Sequence, residues 1–229
     1  MSNRPPTVSN SFISRQIEIT EKLIVDGVQF KAVTPNNVFI GDSTTGNDTT
    51  TGQHNLAFGL SAGGELTSGS FNVFLGNYAG TKNTTGIENN FLGNYAGVLN
   101  TTGYNNNFFG RNSGLCNTTG NKNNFIGRSA GENNSTGSNN NFIGSCAGVS
   151  NATGSNNIAI GNVADIATSN LSGVIAIGTG ATAQLNNELA IGSTTWPLST
   201  VSDVTLTGQV SSVILRLNGS LFRVPIIPV

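Results

Sequence analysis

A glycine recurs along the chain at nearly constant spacing: Gly41, Gly59, Gly76, Gly93, Gly110, Gly127, Gly144, Gly161, Gly178 and Gly192. The first interval is 18 residues, the next seven are 17, and the last is 14. An apolar residue precedes each one: Ile40, Phe58, Leu75, Leu92, Phe109, Ile126, Ile143, Ile160, Ile177 and Ile191. A fixed period of this length means one structural unit stacked on copies of itself. Glycine at this frequency, with no 3.6-residue apolar pattern, leaves no room for helices in the array.

Composition narrows the partners. Only 9% of the 229 residues are charged, against about 25% in ordinary domains, and the net charge is −1. No electrostatic case exists for nucleic acid or an anionic membrane surface as a partner. Thirty glycines in a background of Asn, Ser and Thr would suit a disordered chain, but the strict period argues for order. No run approaches the roughly 20 apolar residues of a spanning helix. The opening residues, Met1 to Phe12, lack the apolar stretch of a signal peptide, so the expected place of folding is a cytoplasm. Cys116 and Cys146 stand at different points of the repeat and read as unpaired thiols.

Three regions follow. Residues 1–35 form an N-terminal attachment segment, polar up to about residue 14. It then carries a short hairpin in which Leu23-Ile24-Val25 and Val28-Gln29-Phe30 flank Asp26-Gly27. Residues 36–192 are the repeats. Residues 193–229 break the period, carry Trp196-Pro197, and end in a second hairpin signal around Asn218-Gly219. Both ends read as β-hairpin caps, which a solenoid needs over its terminal coils.

One repeat, Asn72 to Glu88, suggests two short strands, Val73 to Leu75 and another near Tyr78 and Ala79, with turns at Gly76, Gly80 and Gly86. The predicted fold is an all-β parallel β-roll, or β-solenoid, of about ten 17-residue coils at the ~4.8 Å spacing of paired strands. Stacking turns equivalent residues into columns. The residue before each glycine, including Leu75, Leu92, Phe109, Ile126, Ile143, Ile160, Ile177 and Ile191, is expected to be the core of one chain. The residue before that is Phe in five consecutive coils: Phe74, Phe91, Phe108, Phe125 and Phe142. Adjacent residues on a strand face opposite ways, so this phenylalanine column is expected to lie between chains. A thin core and a second apolar column together predict side-by-side packing of several chains. A third column, Asn72, Asn89, Asn106, Asn123, Asn140 and Asn157, is expected to form an asparagine ladder bonded from coil to coil.

The segment Ile175-Ala176-Ile177-Gly178 through Leu189-Ala190-Ile191-Gly192 resembles the head repeats of trimeric autotransporter adhesins, as does Ile158-Ala159-Ile160-Gly161. That resemblance implies a left-handed parallel β-roll with three chains in one head, hence a homotrimer, intertwined or side by side. The earlier coils, three residues longer and with Phe-Ile-Gly or Phe-Leu-Gly, are similar to repeats of phage and other virion fibre proteins. Leu215 to Pro225 is similar to the endings of marine phage structural proteins. No heptad stalk is visible. The resemblance therefore points to a bacteriophage virion protein assembled in the host cytoplasm: a tail or head fibre, a spike or a capsid decoration. Its partners would be itself, other virion proteins through the terminal segments, and a host surface glycan or protein.

Two alternatives remain, a bacterial cell-surface adhesin head fragment and an ice-binding solenoid using Thr84-Thr85, Thr101-Thr102 and Thr118-Thr119. The ice-binding reading is weakened because these threonines precede a turn glycine. An enzyme is not expected. His54 is the only histidine, no carboxylate pair recurs, and no phosphate loop, metal-ligand set or cofactor motif is present. The triplets at Asn83, Asn100, Asn117 and Asn151 match the N-glycosylation acceptor, but without a secretion signal they read as turn residues carrying no glycan.

Overall fold

The period of 17 places equivalent short strands side by side, and the computed structural model shows that arrangement. It describes residues 22–25, 28–33, 36–47, 49–192, 212–217 and 220–225. Residues 1–21 of the segment expected to serve attachment, the turn dipeptides Asp26-Gly27 and Asn218-Gly219, and Trp196-Pro197 lie outside the described residues. The chain divides into two compact units, Met1–Trp196 and Pro197–Val229. Among its described residues the second unit contains an antiparallel hairpin.

The first unit opens with strands β1 (Lys22–Val25) and β2 (Val28–Val33), paired antiparallel. β2 then pairs antiparallel with β3 (Asn37–Gly41), so the hairpin extends the sheet of the roll. One three-residue strand per coil follows: β4 (Leu56–Phe58), β5 (Val73–Leu75), β6 (Asn90–Leu92), β7 (Asn107–Phe109), β8 (Asn124–Ile126), β9 (Asn141–Ile143) and β10 (Ile158–Ile160). After β11 (Asp165–Ile166) come β12 (Ile175–Ile177), β13 (Thr182–Ala183) and β14 (Leu189–Ile191). From β3 onward the sheet neighbours are parallel and in register, each glycine-preceding residue against its counterpart one coil away. The fold is thus a parallel β-solenoid of about nine turns, roughly 43 Å along its stacking direction at ~4.8 Å per strand.

The phase of the pleat is opposite to the expectation. Phe74, Phe91, Phe108, Phe125 and Phe142 are the interior of a single chain, each 0% exposed. The residue before each glycine points outward: Leu92, Phe109, Ile126, Ile143, Ile160, Ile177 and Ile191 are exposed and Leu75 half-buried. The column expected to be the core therefore faces outward, and the column expected to lie between chains fills the coil. The reason is size. A coil of 17 residues encloses room for one ring, and glycines line that room. At Gly97, with φ of 58°, an added Cβ would lie 2.6 Å from the Phe91 ring. The rings stack with centroids 4.7–4.9 Å apart and interplanar angles of 5–6° from Phe91 to Phe142. Strand spacing sets that separation, and an offset stack suits aromatic quadrupoles. Phe74, whose other neighbour is Ala57, tilts 30° from Phe91.

The second strand expected near Tyr78 and Ala79 is absent from that coil, where Tyr78 takes a positive φ of 60° inside a turn. Gly76 and Gly80 do adopt positive φ, while Gly86 is held instead by space, because its Cβ would strike the Gly103 carbonyl of the next coil. A second strand forms only near the end of the array, where β11 pairs parallel with β13.

Buried alanines such as Ala79, Ala96, Ala130 and Ala147 sit beside the rings, and amides fill much of the remaining interior. Asn72, Asn89, Asn106, Asn123, Asn140 and Asn157 are fully buried and form the expected ladder. The Oδ1 of each accepts from the backbone N–H of the next rung, as in Asn89 N–H to Asn72 Oδ1 at 3.0 Å. From Asn72 to Asn140 each Nδ2 donates to a turn-glycine carbonyl, as in Asn89 to Gly103 at 2.8 Å, and Asn157 donates to the Leu171 carbonyl at 2.8 Å. Among the described residues no buried side-chain nitrogen or oxygen lacks a partner, which is the condition for burying this many amides without loss.

The second unit holds β15 (Ser212–Leu217) paired antiparallel with β16 (Ser220–Pro225), with Leu217 opposite Ser220.

Candidate self-association surface

Since strand residues alternate, burying the phenylalanines forces the residues on either side of them outward. The result is a continuous apolar stripe along the sheet, from Ile40 at the start to Ile191 at the end. Its exposure runs from 36% at Leu92 to 53% at Phe58 among the residues left in water. Beside it runs a second outward column. This column is apolar at both ends, with Val38, Leu56 and Val73 at one and Ile158, Ile175 and Leu189 at the other. In the middle it is a half-buried amide ladder, Asn90 to Asn107 at 2.9 Å, Asn107 to Asn124 at 2.7 Å and Asn124 to Asn141 at 2.8 Å. These bonds run along the roll from coil to coil.

The edges of the stripe are polar or aromatic. Tyr78 and Tyr95 stack at 5.0 Å with an angle of 4°. Arg111 and Arg128 are exposed on consecutive coils. At the opposite corner, the ring of His54 lies against Phe71 at 5.0 Å, so the lone histidine stacks on an aromatic ring. Asp42 anchors the first coil: its Oδ1 accepts from the Thr45 hydroxyl at 2.9 Å and from the Ser61 backbone at 3.2 Å. Burial pushes its carboxyl up, but donation by Ser61, Thr44 and Thr45 outweighs this and holds it below the ordinary value.

The interior holds a feature the sequence reading treated only as turns. Asn83, Asn100, Asn117, Asn134 and Asn151 form a second buried ladder, each Nδ2 from Asn100 onward donating to the Oδ1 one coil back. The following residue supports it from outside: the hydroxyls of Thr84, Thr101 and Thr118 donate to the carbonyl of the next coil at 3.0–3.1 Å. That spends one of the two threonine columns considered for ice binding on internal bonds.

A cavity of about 450 Å³ lies at the first coils and is lined by Ser43, Thr44, Asn47, Ser61, Glu65 and Thr81. Glu65 is tied to Lys82 by an exposed ion pair of 2.8 Å. Among the described residues, no three His, Cys, Asp or Glu side chains gather as metal ligands, and none of the helices sought as membrane spans is found. Cys116 and Cys146 are free, and burial together with the Glu132 charge pushes the Cys116 thiol up. Comparison with protein-family models, with curated proteins and with solved structures finds no match for the chain.

Proposed function

We propose that this chain is a structural component of a virion, a fibre, spike or capsid decoration, in which rolls associate side by side as a homotrimer through the outward stripe. The observation that carries the association is the stripe itself: an apolar residue before the glycine of every coil, facing water along the whole roll. Each such side chain leaves on the order of 70 Å² in water, so the ten together offer on the order of 700 Å², close to the roughly 800 Å² per partner of a stable interface. A second copy of the chain fits it best, because only a surface with the same coil spacing presents side chains in step along its length. Closed three-fold symmetry, taken from the adhesin-head resemblance, limits association to a finite particle. The virion assignment rests on the similarity of the Phe-Ile-Gly coils to virion fibre repeats. The terminal segments would attach to other virion proteins, and the roll would act as a rigid spacer or touch a host surface glycan or protein.

Light scattering of the purified chain tests the association. A trimer is expected for the native chain, and a folded monomer for Ile126→Glu combined with Ile143→Glu, since both residues lie outside the coil. A native chain that is a stable monomer removes the association. Co-purification with particles tests the virion assignment separately.

A further inference from the structure

The second asparagine ladder coincides with a modification motif. Asn83, Asn100, Asn117, Asn134 and Asn151 each begin an Asn-x-Ser/Thr triplet, ending at Thr85, Thr102, Thr119, Thr136 and Thr153. All five asparagines are 0% exposed. From Asn100 to Asn151, both Nδ2 hydrogens are in use. Asn117, for example, donates to Asn100 Oδ1 at 2.7 Å and to the Gly120 carbonyl at 3.1 Å. Asn134 donates to Asn117 Oδ1 at 2.9 Å and to the Gly137 carbonyl at 3.0 Å. The third residue of each triplet points to solvent and makes no comparable demand on the interior.

We propose that these five asparagines are N-glycosylation acceptors of the unfolded chain only, and that an oligosaccharide on any one of them prevents the roll from forming. In the transfer, Nδ2 bonds to C1 of the first sugar of a lipid-diphosphate-linked oligosaccharide. The bond from C1 to the diphosphate oxygen breaks, the lipid diphosphate leaves, and Nδ2 gives up one proton. That proton is one the ladder needs, and the sugar has no space beside a rung packed at coil spacing. The motif arises because folding asks for these residues: an amide for the rung, a hydroxyl or small residue bonded to the next coil, and a polar residue at the exposed bend. Such a sequence is compatible with folding where no N-oligosaccharyl transfer acts on the nascent chain. The inference does not depend on how rolls associate.

The chain supplies its own control. Asn133 and Asn170 are exposed and also begin acceptor triplets, ending at Ser135 and Ser172, and Asn47 begins one ending at Thr49. Changing Thr85, Thr102, Thr119, Thr136 and Thr153 together to Ala removes every ladder acceptor and leaves these three, together with Asn218-Gly219-Ser220. The experiment is to direct the full chain and this five-site variant into the secretory pathway of a glycosylating cell, and to produce both in a bacterial cytoplasm. Occupancy is mapped by mass spectrometry, and folding is read by protease resistance. The native chain should be resistant from the cytoplasm, but modified on ladder asparagines and protease-sensitive from the secretory route. The variant should be resistant from both, even with sugar on Asn133 or Asn170. Native chains that carry sugar on a ladder asparagine and remain resistant overturn the proposal. So does a native chain that acquires no sugar on these asparagines during secretion.

Discussion

The coils from β5 to β9 and those from β10 to β12 fill the same backbone tube by opposite means. In the first group a phenylalanine enters from the sheet and a glycine stands opposite: Phe74 with Gly80, Phe91 with Gly97, Phe108 with Gly114, Phe125 with Gly131, Phe142 with Gly148. In the second group the sheet supplies only Ala159 and Ala176, and the glycine position is taken by Asp165 and Thr182. The filler comes from the far wall, where Ile166 and Ala183 are fully buried on the paired strands β11 and β13. Both asparagine ladders stop at this boundary. Val174 occupies the next rung of the first: its N–H still donates to Asn157 Oδ1 at 3.0 Å, but it offers no amide to continue. Across these seven coils a ring goes with a turn on the far wall and a small residue with a strand; the Ala57 coil keeps the turn, because its Gly63 lies against the Phe74 ring of the next coil. Volume, more than residue type, is what each coil conserves.

The largest expected effect breaks the first group. Phe108→Ala removes a ring stacked between Phe91 and Phe125 and should cost about 3–5 kcal/mol in a denaturant melt. Phe108→Glu should abolish the folded roll, since the charge would have no partner in the coil. A Phe108→Glu chain that folds and loses only its association would restore the seam role first expected of this column.

This exchange marks where the sequence was legible. The glycine period, the parallel in-register stack, the two hairpins and the first asparagine ladder could all be read from spacing. The pleat phase could not, because two adjacent apolar columns satisfy either orientation. A signal was present, though. Glycine stands six residues after Phe74, Phe91, Phe108, Phe125 and Phe142, and a larger residue stands six after Ala159 and Ala176. Between Phe74 and Ala176, glycine that follows ring size identifies the ring as the side chain pressed against it; Ala57 departs from this, since Gly63 six residues on faces the Phe74 ring of the next coil. The second ladder was hidden by its own motif, since Asn-Thr-Thr-Gly reads locally as a turn and only stacking reveals the rung. The outward apolar stripe is therefore visible in the sequence as a column, but its spacing alone does not show which side of the strand it occupies.

Converting one kind of coil into the other is the next test. Ala159→Phe alone should cost about 1–3 kcal/mol by overpacking against Ile166 and Asp165. Adding Asp165→Gly and Ile166→Thr, which copies the far wall of the Phe74 coil, should recover most of that loss. A triple variant no more stable than the single one would show that the coils do not trade volume in this way.

A smaller effect lies on the boundary coil. Two non-glycine positions per coil adopt left-handed backbone. At the first of them Tyr95, Asn112, Ser129 and Cys146 have φ of 55–60°, and Val163 has 56°. A β-branched residue is the least suited to that region. Val163 is also exposed and so gains little from burial. Val163→Asn, which copies Asn112, should raise stability by about 1 kcal/mol in a thermal or denaturant melt. The same change at Ser129 should do much less, because serine carries no branch at that carbon.

The smallest effect contrasts the first coil with the central ones, whose buried polar groups are neutral amides. Asp42 accepts from the backbone N–H of Thr44 and Ser61 and from the hydroxyls of Thr44 and Thr45, and its folded carboxyl lies below the ordinary value. A lowered folded value means that the ionised form favours the folded state. Its contribution is therefore fully present above the unfolded value of about 3.9 and is lost as pH falls through the lower folded value. Asp42→Asn should lower the melting temperature slightly at neutral pH, and the difference from the native chain should close in acid. An Asn117→Ala chain should show a deficit that does not change with pH over the same range, since neither the rung it removes nor its ladder neighbours titrate. If the Asp42→Asn deficit also persists unchanged in acid, the carboxylate's charge is not what anchors the first coil, and the two ends of the roll are held by the same neutral bonds as its middle.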